Sequence, residues 1–112
     1  MAAFPKLTTQ MYLIQLLLPL HDNDKVPFPA EYFDIVRKTL TERFGGVTAF
    51  LRSPAVGLWK EDEDDVTHDE VVMFEVISSE LDSDWWEKYR IELQNKFRQD
   101  ELLLWASNIT KL

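Results

Sequence analysis

Two charged residues lie inside otherwise apolar segments of this chain, Arg52 in VTAFLR and Glu75 in VVMFEVI. A charge in such surroundings needs a partner, because moving it out of water without one is costly. If the segments form a hairpin centred near Glu63 and Asp64, Arg52 faces Glu75 across the two strands. The sequence therefore predicts either a structural cross-strand pair or a ligand site, in which the Arg52 guanidinium holds a carboxylate or phenolate through two parallel hydrogen bonds.

Four further residues have chemistry that could complete such a ligand site. Gln15 would supply a hydrogen-bonding amide, and Trp105 would supply a flat apolar wall. Trp59 and Lys60 place an aromatic ring beside a cation, which suits a ligand carboxylate, although the same pair could simply pack against a sheet edge. No catalytic residue is assigned. The predicted ligand-binding residues are Arg52, Glu75, Gln15, Trp105, Trp59 and Lys60.

Apolar patterning predicts four strands that would position these residues. Compact apolar runs indicate strands at residues 12–20 and 71–77, and extended segments indicate strands at residues 47–60 and 102–109. Pro54 lacks the backbone donor that a central strand requires, so the second strand is expected at an edge of the sheet.

Helical spacing of apolar side chains predicts two helices between these strands. The first helix is expected to end at Gly45 or Gly46, because glycine readily adopts the left-handed conformation that closes a helix. The second is expected to begin with Asp82, Ser83 or Asp84 as its cap.

The resulting β-α-β-β-α-β order predicts the fold. Two right-handed crossovers interleaved around a hairpin give a ferredoxin-like sandwich of the α+β class, with a four-stranded antiparallel sheet and both helices on one face. The first and third strands are then central. The 112 residues form a single ferredoxin-like domain in this interpretation.

The other side of this sheet, which we call the open face, is predicted to be mostly apolar. Such a surface is too large and too apolar to stay in water on a monomer, which favours a homodimer that pairs two open faces. Strand alternation assigns the open-face residues. They are Leu13, Gln15, Leu17, Thr48, Phe50, Arg52, Val71, Met73, Glu75, Ile77, Leu103, Trp105 and Ser107.

Charge and composition exclude several classes of function. The net charge is −8, but seven acids fall within residues 61–70, and an acidic chain of this kind is not expected to bind nucleic acid. This acidic segment lacks the glycine and glutamate spacing of a calcium loop, so no metal site is predicted. There is no cysteine, and no cofactor is predicted. The apolar run after Lys6 is too short to span a membrane, so we expect a cytoplasmic protein.

The element order, length and apolar open face resemble the dimeric α+β-barrel group of ferredoxin-like proteins, in which two sheets pack face to face. That group includes cofactor-independent monooxygenases and isomerases. The segments RFGGVTAF, GLWK and FRQDE are also similar to segments of short bacterial proteins of no known activity. Neither resemblance carries catalytic residues over to this chain.

Two functions are consistent with these observations. The favoured one is a non-catalytic homodimer that binds a partner or a small ligand on its open face. The alternative is a cofactor-independent enzyme, monooxygenase- or isomerase-like, acting on a small apolar or aromatic substrate in a barrel-like cavity. A cavity containing Arg52 and Glu75 would favour ligand chemistry.

Overall fold

The computed structural model describes residues 10–52 and 70–112, with the backbone alone at residues 51 and 52. Its strands pair antiparallel in a single sheet. In chain order the elements are β1 (Gln10–Pro19), α1 (Ala30–Phe44), β2 (Thr48–Arg52), β3 (Val71–Ser78), α2 (Ser83–Lys96) and β4 (Leu103–Thr110).

The strand order β2-β3-β1-β4 confirms the predicted ferredoxin-like arrangement, with β1 and β3 central and β2 and β4 at the edges. The first strand alternates as a half-covered strand should. Ile14, Leu16 and Leu18 are buried on the helix side, whereas the residues between them are only half-buried. The predicted second strand is described only as far as Arg52, so Pro54 lies outside the described residues.

Helix α1 ends as predicted, because Gly45 adopts the left-handed conformation with φ of 82° and its N–H bonds to the Thr41 carbonyl. Helix α2 is capped by Asp82, whose carboxylate accepts a hydrogen bond from the Trp85 backbone N–H at 3.1 Å. Of the three candidate caps, the structure therefore selects Asp82.

The core lies between the sheet and the two helices, and aromatic rings fill much of it. Burial raises the pKa of Tyr89 to about 12. The Thr39 hydroxyl opposes this effect in part, although their contact falls short of a full hydrogen bond. The helices contribute Phe33, Val36, Leu40, Trp86, Tyr89 and Leu93 to this core.

Candidate functional site

Three of the predicted ligand-binding residues lie in one row across the open face. Gln15 on β1 pairs with Glu75 on β3 and with Trp105 on β4, and Glu75 in turn pairs with Thr48 on β2. The row therefore crosses all four strands. Thr48 was predicted to lie on the open face but not to join the site, because its place in the row depends on the β2–β3 register.

Gln15 links its two neighbours through both ends of its side-chain amide. Its Nε2 donates a hydrogen bond to Glu75 Oε1 at 2.8 Å and approaches Met73 Sδ at 3.6 Å. Its Oε1 accepts a hydrogen bond from Trp105 Nε1. A carboxylate can only accept and an indole N–H can only donate, so the amide has one orientation that satisfies both neighbours. Gln15 thus fixes the positions of a carboxylate and an aromatic ring.

The predicted pairing of Arg52 with Glu75 is wrong. Arg52 pairs with Val71, and the β2–β3 register is displaced by four residues from the predicted one. Four residues along a strand are about 13 Å, which is too far for a cross-strand pair. The error arises because the register was inferred from an assumed hairpin centre, which strand alternation does not test. Since the displacement is an even number of residues, Thr48 and Phe50 keep their predicted face.

The two remaining predicted ligand-binding residues, Trp59 and Lys60, lie outside the described residues, as does the acidic segment at residues 61–69. Within the described ranges, no group of three or more histidine, aspartate or glutamate side chains could hold a metal ion. No helix in the same ranges is long and apolar enough to cross a membrane.

The surroundings of the row are apolar, and part of them is open to solvent. Phe50 is 42% exposed, Trp105 43% and Ile77 54%, which are high values for large apolar side chains. Met73 departs from the expected exposure and is buried, because Leu17 and Phe50 flank it on the neighbouring strands. The open face therefore holds a small polar group of side chains within an apolar surface, as ligand sites commonly do.

This arrangement suits a cation better than the anion that the sequence predicted. Glu75 supplies negative charge, and its only hydrogen-bond partner among the described side chains is the neutral amide of Gln15. The face of an indole ring also attracts cations, through the negative charge density above and below its plane. A cationic group placed between Trp105 and Glu75 would interact favourably with both.

Comparison with known proteins yields matches to solved structures alone, since no protein-family model and no curated protein matches the chain. A phage SAM lyase in its apo state matches with a TM-score of 0.61 and 13% identity, covering 99% of this chain and 92% of that one. A phage SAM lyase in complex with S-methyl-5'-thioadenosine matches with a TM-score of 0.54 and 14% identity, covering 98% of this chain and 97% of that one. At these low sequence identities, the structural likeness shows that this chain shares the fold of those proteins.

These neighbours correct the favoured prediction of a non-catalytic binding module, because both are enzymes. The alternative, an enzyme acting on a small molecule, agrees better with them, although they are lyases and not monooxygenases or isomerases. The α+β fold behind the predicted resemblance is confirmed, and membership of the dimeric-barrel group stays a prediction.

Proposed function

We propose that this protein is a lyase that cleaves S-adenosylmethionine (SAM), or a closely related sulfonium nucleoside, and releases S-methyl-5'-thioadenosine. The row of Glu75, Gln15 and Trp105 on the open face is the proposed site. The observation that carries the proposal is that a carboxylate and an indole ring are held together by one amide within an apolar surface. Full-length likeness in fold to phage SAM lyases supports the same conclusion.

A sulfonium ion has no hydrogen to donate, so a protein can recognise it only through charge and polarisable surfaces. The indole of Trp105 offers a π face to the positive sulfur, as aromatic side chains do for quaternary ammonium ligands. Glu75 offers the opposite charge from β3, which lies two strands from the Trp105 strand β4. Gln15 is a positioning residue in this proposal, since it holds both of these groups and needs no contact with the sulfur.

The apolar open face also suits the chemistry. A lyase breaks the bond between sulfur and carbon without adding water, and the sulfur keeps the electron pair and becomes a neutral thioether. The carbon that loses sulfur must then receive electrons from the carboxylate of the substrate, which closes a lactone, or from a neighbouring C–H bond whose proton passes to a base such as Glu75. Both routes remove a pair of opposite charges, and apolar surroundings favour such a step.

We further propose that a second copy of the chain covers the open face and encloses the site. Phe50, Ile77 and Trp105 have no helix above them among the described residues, and water at the reacting carbon would permit hydrolysis. The proposed form is therefore a homodimer of single-domain chains in the cytoplasm, where SAM is made. Sedimentation should give a dimer for the wild type and a monomer for Phe50→Asp. A wild type that sediments as a monomer would contradict the enclosed site.

The activity can be tested by incubating purified protein with SAM and following S-methyl-5'-thioadenosine by liquid chromatography and mass spectrometry. We expect the wild type to release it, and Glu75→Gln to lower kcat/KM by about 100-fold, a usual loss when a positioned carboxylate is removed. Glu42→Gln is the matched control, because Glu42 is an exposed glutamate on α1. Absence of product from folded wild-type protein would overturn the proposal.

A further inference from the structure

A concavity lies at the edge strand β4, on the helix side of the sheet and across that strand from the open face. This cleft of about 270 Å³ lies between α2 and the edge strand β4. Leu104 and Ala106 of β4 and Ile14 of β1 form apolar walls, and Trp105 also lines the cleft, although its Nε1 bonds to Gln15 on the opposite face of the sheet. Trp105 therefore belongs both to the cleft and to the row on the open face.

One stripe of α2 lines the opposite wall of the cleft. Trp86, Glu87 and Arg90 come three, four and seven residues after Ser83, which places the four side chains on one side of a helix. A neighbouring pair of opposite charges on a helix surface commonly forms an ion pair. Here Glu87 and Arg90 form no salt bridge with each other or with any other described residue, although both line the cleft.

Arg90 is held in place by neutral groups. Its Nη1 donates to Gln94 Oε1, and Gln94 Nε2 donates in turn to the backbone carbonyl of Asp100 at 2.8 Å. Arg90 is half-buried as a whole residue, and its guanidinium uses one of its five N–H donors in this contact. Arg90 is thus fixed in the wall of the cleft with most of its donors unused among the described residues.

We propose that this cleft binds the amino-acid end of the substrate, with Arg90 holding the α-carboxylate and Glu87 holding the α-ammonium group. The inference rests on the proposed function, because it places the two ends of one sulfonium nucleoside on either side of Trp105. Trp105 lies two strands from Glu75, a distance of about 10 Å. A sulfonium against the Trp105 indole lies at the edge strand β4, so that the short amino-acid chain can pass around this edge into the cleft while the nucleoside stays on the open face.

The charges of the cleft favour a zwitterion over a simple ion. A phosphate or other multiply charged anion would gain from Arg90 but would be repelled by Glu87, and a simple cation would meet the reverse. An α-amino acid carries one positive and one negative group a few ångströms apart. Each would pair with a charge on α2, and a guanidinium can hold a carboxylate with two parallel bonds.

The test compares two nucleosides that differ at the amino-acid end. S-Adenosylhomocysteine keeps this end and has no sulfonium to lose, whereas S-methyl-5'-thioadenosine lacks it. Isothermal titration of Arg90→Met should show S-adenosylhomocysteine bound about tenfold or more weakly, and S-methyl-5'-thioadenosine bound as by the wild type. Glu87→Gln should have the same selective effect at smaller size. Lys88→Met is the control, because it removes an exposed cation of α2 outside the cleft lining.

A variant that binds S-methyl-5'-thioadenosine as the wild type does is folded. If Arg90→Met does not fold, Arg90→Lys replaces it; because lysine keeps the charge, we expect its loss of S-adenosylhomocysteine affinity to be intermediate. Equal loss for both nucleosides, or loss for neither, overturns the cleft assignment. Wild-type protein that binds both nucleosides in the expected pattern but leaves SAM intact would refute the lyase and retain the cleft. If it binds neither nucleoside, a titration with L-methionine decides: Arg90-dependent binding supports the cleft, and no binding overturns it.

Discussion

The two faces of the sheet are built from alternating residues of the same strands, yet they differ in what they contain. On the helix side, Ile14, Leu16 and Leu18 of β1 are almost fully buried, and the described core has no buried polar or charged residue. On the open face, the same strand places Gln15 between Leu13 and Leu17. The described core on the helix side consists of apolar and aromatic residues, whereas the open face carries a linked carboxylate, amide and indole. The open face is therefore where function is to be sought.

The largest expected effect is a difference in stability between a variant of the helix side and a variant of the open face. Leu16→Ala removes a side chain that is 1% exposed and should lower the free energy of unfolding by about 2–5 kcal/mol. Leu17 is the next residue and lies on the open face. Leu17→Ala should lower the free energy of unfolding clearly less, because Leu17 is only half-buried. Urea denaturation of both variants at low protein concentration measures the difference. Equal losses would mean that the open face is as much a part of the folded core as the helix side.

The next expected effect is a loss of enzymatic activity when a residue of the open face is replaced. Gln15→Leu removes the amide that holds Glu75 and Trp105 while keeping the size of the side chain. We expect SAM turnover to fall by about tenfold, because misplaced groups stabilise a transition state less well, with little change in stability. Gln99→Leu is the control, since Gln99 lies after α2 and away from the row. Unchanged turnover with Gln15→Leu would show that the row does not position the reacting groups.

The sequence-based predictions were accurate for features that depend on local patterns and failed for features that depend on distant contacts. Element order and the buried side of each strand depend on local periodicity, so β1 and β3 were correctly placed at the centre. Gln15, Glu75 and Trp105 were correctly placed on one face, because the alternation of apolar residues within each of their strands identifies its two faces. The Arg52–Glu75 pair failed because register depends on the path of the hairpin loop, which no local signal determines. The α2 cleft was missed because helical spacing alone does not reveal which stripe lines a cavity.

The last expected effect, which appears only at high pH, concerns a titratable group on the helix side. The pKa of Tyr89 is raised from 10.0 to about 12 in the folded protein, mainly because burial disfavours the phenolate. The unfolded chain therefore loses this proton first as pH rises, and the free energy of unfolding should fall between pH 10.0 and about 12. Below that window Tyr89 contributes no pH dependence. Urea denaturation across this pH window should show that the free energy of unfolding falls less steeply for Tyr89→Phe than for the wild type. Equal slopes would mean that the Tyr89 hydroxyl is in contact with water.

The central claim, that the open face binds the nucleoside, is tested most directly by nuclear magnetic resonance of the indole N–H groups during titration with S-methyl-5'-thioadenosine. Trp105 lies on the open face, whereas Trp85 lies in the helix layer with the Arg43 guanidinium 4.3 Å from its ring centre. Their signals are assigned with Trp105→Phe and Trp85→Phe. We predict that the Trp105 signal shifts in a saturable manner and that the Trp85 signal does not. A saturable shift of Trp85 with Trp105 unchanged would contradict the account.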